Sequence, residues 1–371
     1  MQRISIQRLA AAAGICIAIV TLAAFAQMKK DAFAQKKKKE EITQTLQVPK
    51  DLPAAVTGDP HRFAFYTTPL SGKGLLSAQI RDALKALSHE AGGASVLQIR
   101  AFVAGSGDLR RVRDLVSETF TDRKQALPAL SLVRAGGLPA EGAQVVLEAV
   151  AAAKKEVNPN GVVYLPAVAV TSENALDPVA RLAARSLDQL RQTLKEAGSS
   201  ASDVLRVTCF LSSLENLAET RKLVEAEYAR AALDYIQTQR APARAVGACE
   251  AVARVAWNTG KKVHYIPAQR EPKAVLVSAP QVVLSGTQMS YGYQEADSKL
   301  AFERLSKSLE AAGVAPRDVA YASYYPLAEP LAAQVRKLRG GFFPSAASSL
   351  VLFEGLASMD AGFAVDVVAV K

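Results

Sequence analysis

Three carboxylates set in apolar, strand-like runs are the residues of this 371-residue chain whose chemistry most needs a reason. Glu148 lies in Val146-Leu147-Glu148-Ala149-Val150, Glu250 in the echoing Cys249-Glu250-Ala251-Val252, and Asp366 in the apolar run 363–370. An unpaired carboxylate withdrawn from water is costly, so each must either find a partner at a structural interface or serve catalysis. Both readings account for these residues. Other chemistries are excluded by spacing. His61, His89 and His264 have no metal-ligand spacing, and no Cys-x-x-Cys occurs, so neither a metal nor a cofactor is expected. No Ser-His-Asp arrangement, two-metal acidic cluster or Cys-His pair can be assembled. Cys209 and Cys249 stand in strand-like stretches as two buried thiols or, in an oxidising compartment, as one disulfide.

The elements that must position these acids recur. Residues 77–92, 183–198 and 298–313 each read as an amphipathic helix closed by glycine, at Gly92, Gly198 and Gly313. Leu187, Leu190 and Leu194 match Phe302, Leu305 and Leu309, and a left-handed glycine satisfies the last carbonyls of such a helix. A strand-length run follows each helix, at 96–103, 204–211 and 319–326. Second helices are predicted over 108–119, 214–235 and 327–339, the middle one burying Leu217, Leu223, Val224 and Tyr228. Strands open the copies at 63–66, 162–165 and 282–284, and strands at 143–150 and 363–370 close the first and third. Alternating helices and strands predict α+β units, each a sheet with two helices on one face. A doubly wound dinucleotide fold is disfavoured, because no Gly-x-Gly-x-x-Gly joins a strand to a helix. Units of about 100 residues gain by covering their open sheet faces, so three of them predict a closed, pseudo-threefold packing within one chain.

The formal charge of +10 is concentrated in a tail. Residues 1–39 hold eight basic side chains and one acid, which leaves 37 basic against 34 acidic groups in the rest. Such a balance argues against nucleic acid as a partner of the folded part. Arg3 and Arg8 precede the apolar run Ala10 to Ala26, the pattern of a secretory signal over 1–26, followed by a basic flexible linker over 27–45. Cleavage predicts a periplasmic or secreted protein without stable membrane insertion, whereas an uncut leader predicts a membrane anchor.

Val283-Leu284-Ser285-Gly286-Thr287-Gln288, Leu194-Lys195-Glu196-Ala197-Gly198, Asp203-Val204 and Pro242-Ala243-Arg244 together resemble the YjgF/YER057c/UK114 family, the reactive intermediate/imine deaminase or Rid proteins. The resemblance implies three tandem Rid-like (chorismate mutase-like) domains over 46–156, 157–269 and 270–371. Because family members assemble as homotrimers, it also implies a monomeric chain that forms an intrachain pseudo-trimer with clefts between units. Family enzymes hydrolyse 2-imino acids to 2-oxo acids and ammonia. By that resemblance Arg244 would grip a substrate carboxylate through paired hydrogen bonds. Glu148, Glu250 or Asp366 would hold or activate water, while Ser285, Gly286 and Gln288 would line the cleft, with Tyr291 as a further cleft candidate. Leu130 and Ala346 stand where the first and third copies would carry the arginine. Only six positions separate Arg244 from Glu250, against 18 from Leu130 to Glu148, so either the middle copy has lost its last hairpin or the Arg244 match is accidental. Three functions stay open: binding of a small carboxylate, imine deamination, and a non-catalytic structural or protein-interaction module.

Overall fold

Glycine stops set the helix ends. In the computed structural model, which describes Gln27 and residues 48–371 except 106, 269 and 270, Gly92, Gly198 and Gly313 have φ of 56°, 73° and 82°. A Cβ on Gly198 would come within 2.7 Å of the Trp257 ring, so this stop is held by packing as well as by backbone conformation. The proposed signal and most of the basic linker lie outside the described residues. Among the described residues no helix is long and apolar enough to cross a membrane.

In chain order the first stretch forms β1 (Ala55–Gly58), β2 (Phe63–Thr67), α1 (Leu76–Glu90), β3 (Ser95–Ala104), α2 (Leu109–Asp122), β4 (Ala129–Ala135) and β5 (Val145–Ala152). The second forms β6 (Val162–Leu165), β7 (Val170–Ser172), α3 (Val179–Glu196), β8 (Val204–Leu211), α4 (Leu217–Tyr228), β9 (Ala232–Gln237), β10 (Ala245–Arg254) and β11 (Val263–Ile266). The third forms β12 (Ala274–Val277), β13 (Val282–Ser285), β14 (Gln288–Tyr291), α5 (Glu295–Ala311), β15 (Val319–Pro326), α6 (Glu329–Phe342), β16 (Ala347–Leu350), β17 (Gly355–Leu356) and β18 (Ala361–Val370). The class is mixed α+β.

Each stretch repeats one pairing scheme. The strand after the first helix (β3, β8, β15) pairs in parallel with the strand after the second helix (β4, β9, β16). Its other edge pairs antiparallel with β5, β10 or β18. A crossover helix is what a parallel pair requires. The resulting sheets have five, seven and six strands. Each borrows from elsewhere: β1 pairs with β13, β12 with β6, and β17 with β4. Lys50–Lys371 thereby form one compact unit.

Two kinds of core result. One is a helix–sheet core for each sheet, filled by Ile80, Leu84 and Leu87 in the first, Leu187, Leu190 and Leu194 in the second, and Phe302, Leu305 and Leu309 in the third. The other lies between sheets, where Phe102, Phe210, Tyr325 and Phe353 meet with ring centroids 5.6–6.0 Å apart. Tyr324 and Tyr325 divide between these two kinds, Tyr324 under the helices and Tyr325 between sheets. The middle second helix is shorter than its sequence pattern suggests. It ends at Tyr228, and 232–237 become strand β9. Val224 and Tyr228 are buried while Leu223 is half exposed. Cys209 and Cys249 stand opposite one another on β8 and β10, with Cα atoms 4.1 Å apart, and form a disulfide.

Candidate functional site

The three suspect acids occupy the same place in their sheets. Register pairs Glu148 with Arg100, Glu250 with Thr208 and Asp366 with Ser323. On the parallel side, Arg100 faces Ser131, Thr208 faces Asp234, and Ser323 faces Ser349. Three matching rows therefore converge between the sheets, and Arg100 enters the middle of them. Its Nε donates to Glu148 Oε2 at 2.7 Å, and its Nη2 donates to Glu250 Oε1 at 2.6 Å, from the first sheet to the second. Thr208 Oγ1 donates back to Glu148 Oε1 at 2.5 Å. Arg206 Nη atoms lie 3.5 Å from both glutamates.

The third sheet closes the ring of bonds. Ser349 Oγ and Tyr321 OH donate to Glu250 Oε2 at 2.8 and 3.2 Å. Ser131 Oγ and Tyr325 OH donate to Asp366 Oδ2 at 2.6 and 2.9 Å. Glu148 and Glu250 are each 1% exposed and Arg100 7%, so the cluster is shut off from solvent. Burial by itself would lower the Arg100 guanidinium, but Glu148 and Glu250 hold it well above its ordinary value. Burial likewise pushes Glu250 upward, yet Arg100 and Arg206 outweigh it and leave the carboxyl below its usual range. Asp366 is raised by burial, despite the opposing bonds from Ser131 and Tyr325. Asp234, where the other two rows carry serine, is raised well above its usual range by burial and then by Glu148. Its Oδ2 has no hydrogen-bond partner among the described residues. These hydrogen bonds join residues of all three sheets.

Arg244 is not brought to this cluster. It precedes β10 on a loop, its side chain half exposed, with Nε 3.2 Å from Glu173. Ala245 and Glu250 are five strand residues apart, about 16 Å. Register explains the odd spacing noted in the sequence. Leu130 pairs with Ile99, and the matching partners are Leu233 opposite Val207 and Ser348 opposite Ala322. Leu233 lies 17 positions before Glu250, close to the 18 of the first copy, so the last hairpin is intact and the Pro-Ala-Arg likeness falls on the loop before β10, beyond the matching strand β9. In the third stretch the matching residue is Ser348, not Ala346. Its hydroxyl accepts from Arg339 Nη1 at 2.8 Å and donates to Glu271 Oε2 at 2.9 Å, beside an Arg339–Glu271 ion pair.

Ser285, Gly286 and Gln288 come to a different place. A cleft of about 660 Å³ opens between β4 and the segment 286–291, with the start of α2 and residues 356–360 at its mouth. Gly286, Gln288 and Tyr291 line it. Gly286 fits because a Cβ there would lie 2.6 Å from Leu130 O, and the Thr287 amide donates to that same oxygen at 3.1 Å. Ser285 is fully buried, and its Oγ accepts from the Val367 amide at 2.9 Å within its own sheet. Sequence reasoning missed Arg100 and Arg134, the second of which reaches this cleft from β4. Their signal was placement on the two strands paired with each other beside Glu148. Among the described residues no group of three or more His, Cys, Asp and Glu could hold a metal ion.

Residues 155–258 match the family model described as Endoribonuclease L-PSP. Over that segment the chain is similar to this family. No curated protein matches the chain. Among solved structures, a YjgF/YER057c/UK114 member from Mycobacterium tuberculosis is 19% identical, covering 26% of this chain and 83% of that one, with a TM-score of 0.24. The Rid-family protein YyfB from Yersinia pestis is 16% identical over 30% of this chain and all of that one, with a TM-score of 0.27. RidA from the Antarctic bacterium Psychrobacter is 16% identical over 24% and 80%, with a TM-score of 0.23.

Proposed function

We propose that the chain is an exported Rid-like protein whose three tandem units, 46–156, 157–269 and 270–371, pack as an intrachain pseudo-trimer that binds a small carboxylate without hydrolysing imines. The matching rows Arg100–Glu148–Ser131, Thr208–Glu250–Asp234 and Ser323–Asp366–Ser349 support the threefold packing. The signal-like segment 1–26 supports export, and the near-neutral remainder supports a partner other than nucleic acid.

The observation that carries the functional reading is the fate of the catalytic candidates. Leucine or serine stands at all three register positions of the expected arginine, as Leu130, Leu233 and Ser348. Glu148, Glu250 and Asp366 are buried, the glutamates bonded to Arg100 and the aspartate to Ser131 and Tyr325. A carboxylate engaged in this way and shut off from solvent is not presented to a bound imine, and a general base must reach the proton it takes. The cleft beside β4 remains the place for a ligand, at a volume usual for small molecules.

Purified chain incubated with 2-iminobutyrate tests the reading, with ammonia followed against buffer alone and calorimetric titration with 2-oxobutyrate in parallel. Ammonia at the buffer rate together with a saturable heat is the expected result. Release above buffer that Glu148→Gln or Glu250→Gln abolishes would overturn it.

A further inference from the structure

Side chains on a strand alternate, so Leu130, Leu132 and Arg134 all turn onto the wall of the cleft while Ser131 and Val133 face the centre. The cation thus enters four residues beyond Leu130, the position at which the resemblance placed a substrate-gripping arginine. Four strand residues span about 13 Å. Leu132, Leu305, Leu356 and Met289 also line the cleft, together with Thr287, Gln288 and Ser308.

Arg134 is also the cation available to an anion. Its Nη1 and Nη2 donate to the carbonyls of Gly105 and Gly107 at 2.7 and 3.1 Å, which fixes the guanidinium and leaves its remaining N–H groups undirected. Among the described residues no carboxylate lies within ion-pair distance of it. Arg110 and Arg113, at the same mouth, are already beside Asp108 at 3.7 Å and Asp51 at 2.6 Å.

Resting on the binding reading above, we infer that the ligand is a carboxylate carried on an unbranched apolar chain of about eight to ten carbons, the length that fills about 13 Å. Its head sits at Arg134, and its tail runs along Leu132 toward Leu130 and Gly286. A short 2-oxo acid held at Arg134 would leave the part-exposed Leu130 and Met289 wet. Each methylene that the cleft removes from water tightens binding by up to about four-fold.

Calorimetric titration of the purified chain with butyrate, hexanoate, decanoate and decanol, each below its micelle threshold, tests this assignment. Decanoate is expected to bind at least about 100-fold more tightly than butyrate, and Arg134→Gln to weaken decanoate by at least about ten-fold while leaving decanol unchanged. Leu130→Arg, which puts a guanidinium in the cleft, should narrow the gap between decanoate and butyrate. Equal affinity for all three acids would overturn the long-chain assignment yet leave carboxylate binding intact. Decanol matching decanoate, or indifference to Arg134→Gln, would remove Arg134 as the seat of the head group. Failure of every acid to bind would overturn both readings.

Discussion

Arg100 on β3 and Arg134 on β4 occupy paired strands of one sheet, yet their charges are met in opposite ways. Arg100 is enclosed between two glutamates from two sheets, and its own sheet cannot satisfy it alone. Arg134 is held by two backbone carbonyls and keeps an uncompensated charge beside an open cleft. The two arginines mark off a structural charge from one open to a ligand. A buried charge completed by protein partners specifies assembly, because removing any member leaves the others unpaired in a dry core. A fixed charge completed by nothing ionic is a seat for something from outside.

Arg100→Met should break the central region hardest. It leaves Glu148 and Glu250 with only the more distant Arg206, 3.5 Å from each, and urea unfolding should show a loss of about 3–5 kcal/mol. Asp234→Asn sharpens the comparison within the centre. The folded-state pKa of Asp234 is raised above its ordinary 3.8, so between that value and the raised one the folded state binds more protons than the unfolded state. Stability therefore falls as pH rises through this window. The asparagine variant should match the parent at pH 4 and exceed it at pH 7 by about 1 kcal/mol, measured by thermal unfolding across pH. Arg134→Gln should have an effect of similar size and opposite sign. Losing its two carbonyl bonds costs about 1 kcal/mol, and no carboxylate is left stranded.

Much of the fold was legible because it is written in local signals. The glycine-closed helices ended within two residues of their predicted stops, since Gly92, Gly198 and Gly313 each adopt a conformation other residues avoid. Strand β9 was not legible. Its run Ala232–Gln237 follows a helix without a glycine or proline break, and both its faces are covered, so the alternation that marks a half-wet strand is absent. Nor could any local pattern show that β1 joins the sheet of the third stretch, a pairing across more than 200 residues.

The site was legible in part. Glu148, Glu250 and Asp366 stood out as acids in apolar strands, and they do share one structural position. Arg100 did not stand out, because an arginine in Val96-Leu97-Gln98-Ile99-Arg100 reads as the wet face of a strand until other sheets cover that face. Arg244 misled through a three-residue likeness that strand register then contradicted.

The three sheets are cross-linked by a buried charge network, and we propose that it serves assembly and not turnover. Urea unfolding of Arg100→Met beside a quadruple variant that also carries Arg206→Met, Glu148→Leu and Glu250→Leu tests this. The quadruple variant should regain most of the several kcal/mol lost by the single one, because apolar groups of similar size then replace the whole buried ion cluster at little net cost. A quadruple variant less stable than Arg100→Met would contradict it.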